Sequence, residues 1–274
     1  MLLKRILTAL ALLPPVVAAV FLAPAPWLYA IFAAAALLAA WEWTGLMGWG
    51  LPAGGARRPL YVLAAAALLA AAWFASTQWQ LLAAVAVAWW LVALALLPGF
   101  PGNLARHRPG ALLLGALGPL LWLPTVTSLC LIRAAPHGAW RLIYVFVLVW
   151  AADVGAYFAG QALGRHKLAP RVSPGKTIEG AVGGLLLCLA WALLAVPYVF
   201  RPPAPAGEAA LLGLSLLAAI LSIVGDLSIS MFKRLSGVKD SGHLLPGHGG
   251  ILDRIDSLMA AAPVMALGLY WLHP

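Results

Sequence analysis

The chain has 274 residues, of which 64% are apolar and 9% charged, and it carries a net charge of +9. Soluble domains run at roughly 45–50% apolar and about 25% charged, so a soluble enzyme, a disordered chain and a nucleic-acid-binding domain are all excluded. What remains is an all-α polytopic integral membrane protein. Only helices and closed barrels span lipid, and the apolar runs here are continuous rather than alternating, which excludes a barrel.

A span needs about 20 apolar residues. Nine segments qualify: 6–23, 27–47, 60–76, 79–97, 111–132, 139–161, 177–200, 208–232 and 257–272. The first pair meets at a turn holding Pro24 and Pro26, the third and fourth near Ser76, Thr77 and Gln78. Lys4-Arg5 before an apolar stretch, then Ala23-Pro24-Ala25, imitates a signal peptide. Proline on both sides of Ala25 is a poor cleavage context, so the first span is expected to stay. Residues 1–105 form an N-terminal region of about four spans with little chemistry. Residues 106–274 form the C-terminal region that carries the polar motifs. Cys130 and Cys188 sit inside apolar runs with neither metal nor disulfide spacing and read as core- or lipid-facing residues.

Orientation follows from Lys and Arg. With the N-terminus in the cytoplasm, 14 of the 17 basic residues fall inside and three (Arg133, Arg141, Arg201) outside. The charge therefore reports topology rather than a nucleic-acid partner, and nine spans place the C-terminus outside.

There are eight acids, and each one near lipid needs a reason, since an ionisable group in a span costs at least about 2.5–3.5 kcal/mol. At 1.5 Å per residue, Asp153, Asp226 and Glu42 lie roughly 12, 9 and 8 Å from the cytoplasmic ends of their spans. This depth predicts a cytosol-facing polar cavity rather than a pathway through the membrane. Glu42 reads as a snorkelling residue or the partner of a loop arginine, while Asp153 and Asp226 read as functional.

The polar residues concentrate in 233–256, which holds four basic residues, three acids, two histidines and five glycines. Glycines let backbone amides approach an anion and form nests. Lys233, Arg234, Lys239 and Arg254 supply charge for phosphates. Carboxylates supply ligands for Mg²⁺, which takes one or two of them with phosphate oxygens and water. Asp253 and Asp256 share a face if helical, as do Asp226 and Ser230. Such a site suits phosphoryl or nucleotidyl transfer. His243 and His248 lack a neighbouring cysteine and suit phosphate contact or loop structure better than zinc.

A second polar segment, 164–179, contains Gly175-Lys176-Thr177. It is not a P-loop: the glycine required five positions earlier is Pro170, and no strand is expected before it. It reads as a basic loop running from Ser173 to Thr177 into a span, with amides at the helix start for an anionic headgroup or nucleotide phosphate.

The motifs Ser230-Met231-Phe232-Lys233-Arg234, Lys239-Asp240-Ser241-Gly242 and Pro246-Gly247-His248-Gly249-Gly250-Ile251-Leu252-Asp253-Arg254-Ile255-Asp256 resemble the signature of the phosphatidate cytidylyltransferases, without departure. Upstream, Trp150 to Tyr157, His166 to Pro170, Ser173 to Gly180 and Gly225-Asp226-Leu227 match as well. The likeness is strong over 140–262 and weaker at the N-terminus, around Trp41-Glu42-Trp43.

The resemblance implies a Mg²⁺-dependent enzyme of phospholipid biosynthesis in the bacterial inner membrane. It would join phosphatidate to CTP, giving CDP-diacylglycerol and pyrophosphate. It implies Asp226, Asp253, Asp256, Lys239 and Asp240 as the catalytic set, with Asp226 and Asp253 as metal ligands and a second cation left open. Ser173, Lys176, Thr177, Lys233, Arg234, His248, Gly249, Gly250 and Arg254 would bind substrate, with Asp153 and Glu179 in support. It also implies a homodimer among membrane lipids. The rivals are a CTP-dependent transferase or kinase for another membrane lipid, an ion-coupled transporter using Asp153 and Asp226, and a non-catalytic scaffold. A transporter predicts acids spread through the membrane depth and inverted repeats, neither of which the sequence has.

Overall fold

The computed structural model describes residues 13–50, 55–105, 109–202, 204–242 and 249–273. In chain order the elements are α1 (Leu13–Leu22), α2 (Ala25–Leu46), α3 (Arg57–Phe74), α4 (Trp79–Leu96), α5 (Gly102–Ala105), α6 (Ala111–Ala134) and α7 (Gly138–Leu163). After them come β1 (Lys167–Ala169), β2 (Ser173–Thr177), α8 (Ile178–Val199), α9 (Pro205–Leu235) and α10 (Leu252–Leu272). Among the described residues eight helices, α2 to α4 and α6 to α10, are long and apolar enough to cross a membrane. The beginning of the expected 6–23 span lies outside the described residues. The chain is a multi-pass all-α membrane protein with one short hairpin. Large side chains that a soluble protein would hide, such as Leu22, Phe74 and Leu112, are exposed, in keeping with a bundle whose outer faces meet lipid.

Prolines inside the spans help to explain how the bundle is knitted. Proline has no N–H, so it leaves the carbonyl four residues earlier without its helical donor. In lipid that carbonyl must find another partner. Pro119 frees Gly115, whose oxygen accepts the Tyr61 hydroxyl of α3 at 3.0 Å. Pro263 frees Met259, whose oxygen accepts the buried Trp90 Nε1–H of α4 at 3.0 Å. Two sequence-level helix breakers thus become ties from α3 to α6 and from α4 to α10.

Small residues set the closest approaches. Between α7 and α8, a Cβ on Gly155 would come within 2.7 Å of the Gly183 carbonyl, and one on Gly184 within 2.6 Å of the Ala152 carbonyl. Between α9 and α10, a Cβ on Gly225 would meet the Asp256 carbonyl at 2.5 Å. Cys130 and Cys188 are buried free thiols, core-facing as the sequence allowed.

Two features differ from the sequence reading. The segment read as a loop with no strand contains an antiparallel hairpin, β1 with β2, pairing Lys167 with Thr177 and Ala169 with Ser173. Pro170 occupies the second position of its turn, closed by the Val172 amide on the Ala169 carbonyl at 3.1 Å, a position that proline's φ favours. Gly175-Lys176-Thr177 is therefore strand leading into a helix, although Pro170 still breaks the phosphate-loop pattern. In addition, α10 begins at Leu252 rather than 257, so Asp253 and Asp256 lie on its first turns. Carboxylates near helix N-termini are favourable, and the early start is further supported by Glu42, described below.

Candidate active site

The ends of α2, α7, α9 and the beginnings of α8 and α10 meet at one end of the bundle, and most of the described acids gather there. Asp226 sits on α9, one turn before Ser230, whose hydroxyl is 3.4 Å from its Oδ1. Its Oδ2 receives Lys176 Nζ from β2. One ion pair thus joins two motifs that are 50 residues apart in sequence. About two turns beyond Asp226 on α9, Lys233 Nζ contacts Asp253 Oδ1 of α10 at 2.6 Å, with side chains only 11% and 9% exposed. The other oxygen of Asp253 accepts the amides of Ser241 at 3.0 Å and Gly250 at 3.3 Å. Asp256 is buried, accepts the Ser257 amide, and lies within electrostatic reach of Asp226, Lys176 and Lys233. Gly225 allows this meeting, because any side chain there would hold α9 away from Asp256.

The hairpin forms a second wall. Thr177 caps α8, its Oγ1 accepting the Gly180 amide at 3.1 Å. Glu179 accepts the amides of Arg165 and His166 and meets His166 Nδ1 at 2.6 Å, so it holds the strand entry in place. Arg234 Nε donates to the Val172 carbonyl at 3.1 Å, docking the hairpin turn on α9. Between α7, α8 and the hairpin lies a cleft of about 410 Å³. Asp153, Tyr157, Gln161, Lys176 and Thr177 contribute to its lining. Asp153 is exposed into it and feels Asp226, Lys176 and Arg254. Lys176 therefore belongs to both the cleft and the acid cluster. Ser173 is half-buried in β2, and Arg254 is exposed on α10.

Glu42 corrects the sequence reading. It does not snorkel, and no described arginine forms an ion pair with it. It is buried and accepts the Ser241 hydroxyl at 2.9 Å, the Ile251 amide at 3.0 Å and the Leu252 amide at 2.8 Å. A Cβ on Gly242 or on Gly250 would lie 2.7 Å from its carboxyl carbon. These two glycines and the Ile251 and Leu252 amides meet an anion, where the glycine pattern had suggested a substrate phosphate. That anion is one of the protein's own carboxylates. The composition of 233–256 offered no sign of it, because the residue comes from α2; the signal available was an acid within an apolar span.

Other expected residues are less closely gathered. Lys239 and Asp240 are exposed beyond the end of α9. Gly249 has φ +79°, a backbone conformation that suits glycine. His243 and His248 lie outside the described residues.

A divalent cation can be tested against the donor chemistry. Among the described residues no group of three or more His, Cys, Asp or Glu converges on one point. Mg²⁺ asks for less, taking one or two carboxylates and completing its shell with phosphate and water. Asp226 and Asp253 each supply hard oxygen donors, so their donor chemistry suits the ion. Lys176 and Lys233 provide the positive charge against these carboxylates.

The sequence profile of the cytidylyltransferase family matches residues 3–272. A phosphatidate cytidylyltransferase of Pseudomonas aeruginosa is 44% identical over 271 residues, covering 99% of this chain and 97% of that protein. One from Haemophilus influenzae is 40% identical over 283 aligned positions, covering 96% of each. One from Brucella suis is 48% identical over 141 residues, about half of each chain. With nearly its whole length matched, and with the signature acids and lysines meeting at one end of the bundle, the chain belongs to the cytidylyltransferase family.

Proposed function

We propose that this site transfers CMP from CTP to phosphatidate, giving CDP-diacylglycerol and pyrophosphate. A phosphate oxygen of phosphatidate attacks the α-phosphorus of CTP. The new P–O bond forms as the bond to the β-phosphate oxygen breaks, and pyrophosphate leaves with that electron pair. No general base is required, since a phosphate monoester is largely doubly ionised near neutral pH, its second pKa being about 6.

The observation that carries this reading is the pair of lysine–carboxylate contacts. Lys176 on Asp226 and Lys233 on Asp253 bring the hairpin and the signature segment to one site. An ammonium has three donors, so each lysine keeps N–H groups for phosphate oxygens while held in place by its carboxylate. Arg234, Lys239 and Arg254 add positive charge at the same end, with His248 and Gly249 in the same signature. Thr177, beside Lys176, lines the cleft, and with Ser173 at the start of β2 would serve the nucleotide or headgroup. Asp226 and Asp253 would hold Mg²⁺, with Asp256 close by. When bound, the ion supplies charge neutralisation for the phosphates. The protein's part is to bind, align and screen two anions that otherwise repel, which is most of what such a transfer needs.

The cavity is read as facing the cytosol, where CTP is found, with the N-terminus inside and the C-terminus outside the cytoplasmic membrane. The 14-to-3 distribution of basic residues supports this orientation. A homodimer belongs to the same family-based reading.

The test uses purified protein with phosphatidate, Mg²⁺ and CTP labelled at either the α- or the γ-phosphate. Label entering lipid from the α-position alone is the expected result. Label entering from the γ-position would mean a lipid kinase, and no entry into lipid from folded protein would reject the reading.

A further inference from the structure

Glu42 is the one described acid of the N-terminal helices, and the reaction just described gives it no task. Its environment nevertheless calls for a task. A carboxylate buried in an apolar bundle is costly unless its oxygens are fully used. Here Oε2 accepts the Ser241 hydroxyl and the Leu252 amide, and Oε1 accepts the Ile251 amide. The two amides belong to the start of α10, where they have no helical acceptor of their own.

Asp253 sits one residue beyond these amides. It shares the same segment from the other side, accepting the backbone amides of Ser241 and Gly250 on Oδ2. Ser241 is thus held twice: its hydroxyl on Glu42 and its amide on Asp253. The spacing leaves no slack, because Gly242 and Gly250 both press against the Glu42 carboxyl group with no space for a Cβ. A bidentate acceptor on α2 therefore fixes the first turn of α10 relative to the end of the 233–242 segment.

We propose that Glu42 is a positioning residue for the transfer reaction, aligning Asp253 through Ser241, Ile251 and Leu252 without touching substrate. This rests on the reading of Asp253 given above. It assigns a catalytic consequence to the N-terminal helices: α2 delivers the buttress for the acid on α10. In that reading a cation held by Asp253 is placed through Glu42.

The experiment compares Glu42→Gln, Glu42→Asp and Asp253→Asn with the parent protein in detergent. Glutamine keeps the size of the side chain but turns an NH₂ towards an N–H or hydroxyl donor, so one side of the clamp is lost. Displacement of a reacting group by about 1 Å costs on the order of 100-fold. Glu42→Gln is therefore expected to lower kcat by about 100-fold with KM for CTP changed less than about threefold. Glu42→Asp is expected to recover part of that loss. A second readout needs no turnover. In substrate-free protein, amide hydrogen exchange at Ile251 and Leu252 should quicken in Glu42→Gln while exchange in α7 and α8 stays at the parent rate.

If Glu42→Gln keeps parental kcat and exchange while Asp253→Asn is inactive, the positioning role is overturned and the reading of Asp253 stands. If Asp253→Asn is active, the reading of Asp253 falls, whatever Glu42 does. Uniformly faster exchange throughout the bundle in Glu42→Gln would show a general structural role and would also overturn the proposal.

Discussion

Replacing Lys233 with Met deletes one partner of the least exposed ion pair at the site while keeping most of the side-chain volume. The pair is 2.6 Å long, with Lys233 and Asp253 side chains 11% and 9% exposed. In such surroundings, removing one member costs about 3–5 kcal/mol, because the other charge is left without compensation. Asp253 retains the Ser241 and Gly250 amides on its second oxygen, and hydrogen bonds to charged groups contribute about 1.5–3 kcal/mol. The loss should therefore fall at the lower end, about 3 kcal/mol. Asp253→Asn leaves the Lys233 ammonium buried and should cost a similar amount. The double variant removes both charges, so its cost should be about 4 rather than about 6 kcal/mol, a coupling of about 2 kcal/mol. Unfolding of the four proteins by a denaturing detergent in mixed micelles, without substrate, measures this. A Lys233→Met protein as stable as the parent, or a double variant equal to the sum of the singles, would refute the buried-pair argument.

Two other predictions concern the frame. Trp90→Phe removes the donor that meets the Met259 carbonyl freed by Pro263, and should destabilise the bundle by about 1–3 kcal/mol in the same unfolding assay; parental stability would show that this carbonyl is otherwise satisfied. A reporter fused to the C-terminus should be active only outside the cytoplasm, and a cytoplasmic signal would reject the nine-span orientation.

Much of the frame was legible in the chain because lipid restricts the options. Long apolar runs must be helices, and α2 to α4 and α6 to α9 follow the expected spans to within a few residues. Asp226 and Ser230 share a face because four residues make about one turn. The start of α10 was not legible, since Leu252 to Asp256 is too polar for a span and its helicity depends on acceptors supplied from elsewhere. Glu42 provides two of them from 210 residues away in sequence, a separation that periodicity cannot reveal. The hairpin escaped for a related reason: its strands have three and five residues, and its order comes from docking on Arg234 and Glu179 rather than from strand patterning. The glycines of 233–256 were read as a cradle for substrate phosphate, and two of them, Gly242 and Gly250, instead press on the carboxylate of Glu42. For Gly242 and Gly250 the anion's identity required the fold.

The most direct test of the central claim is stoichiometric. Purified protein given phosphatidate, CTP and Mg²⁺ should release one pyrophosphate for each CDP-diacylglycerol formed. Both products should vanish with EDTA and in a folded Asp226→Asn variant. Turnover that persists in Asp226→Asn, or pyrophosphate released without a CMP-bearing lipid, would contradict the account.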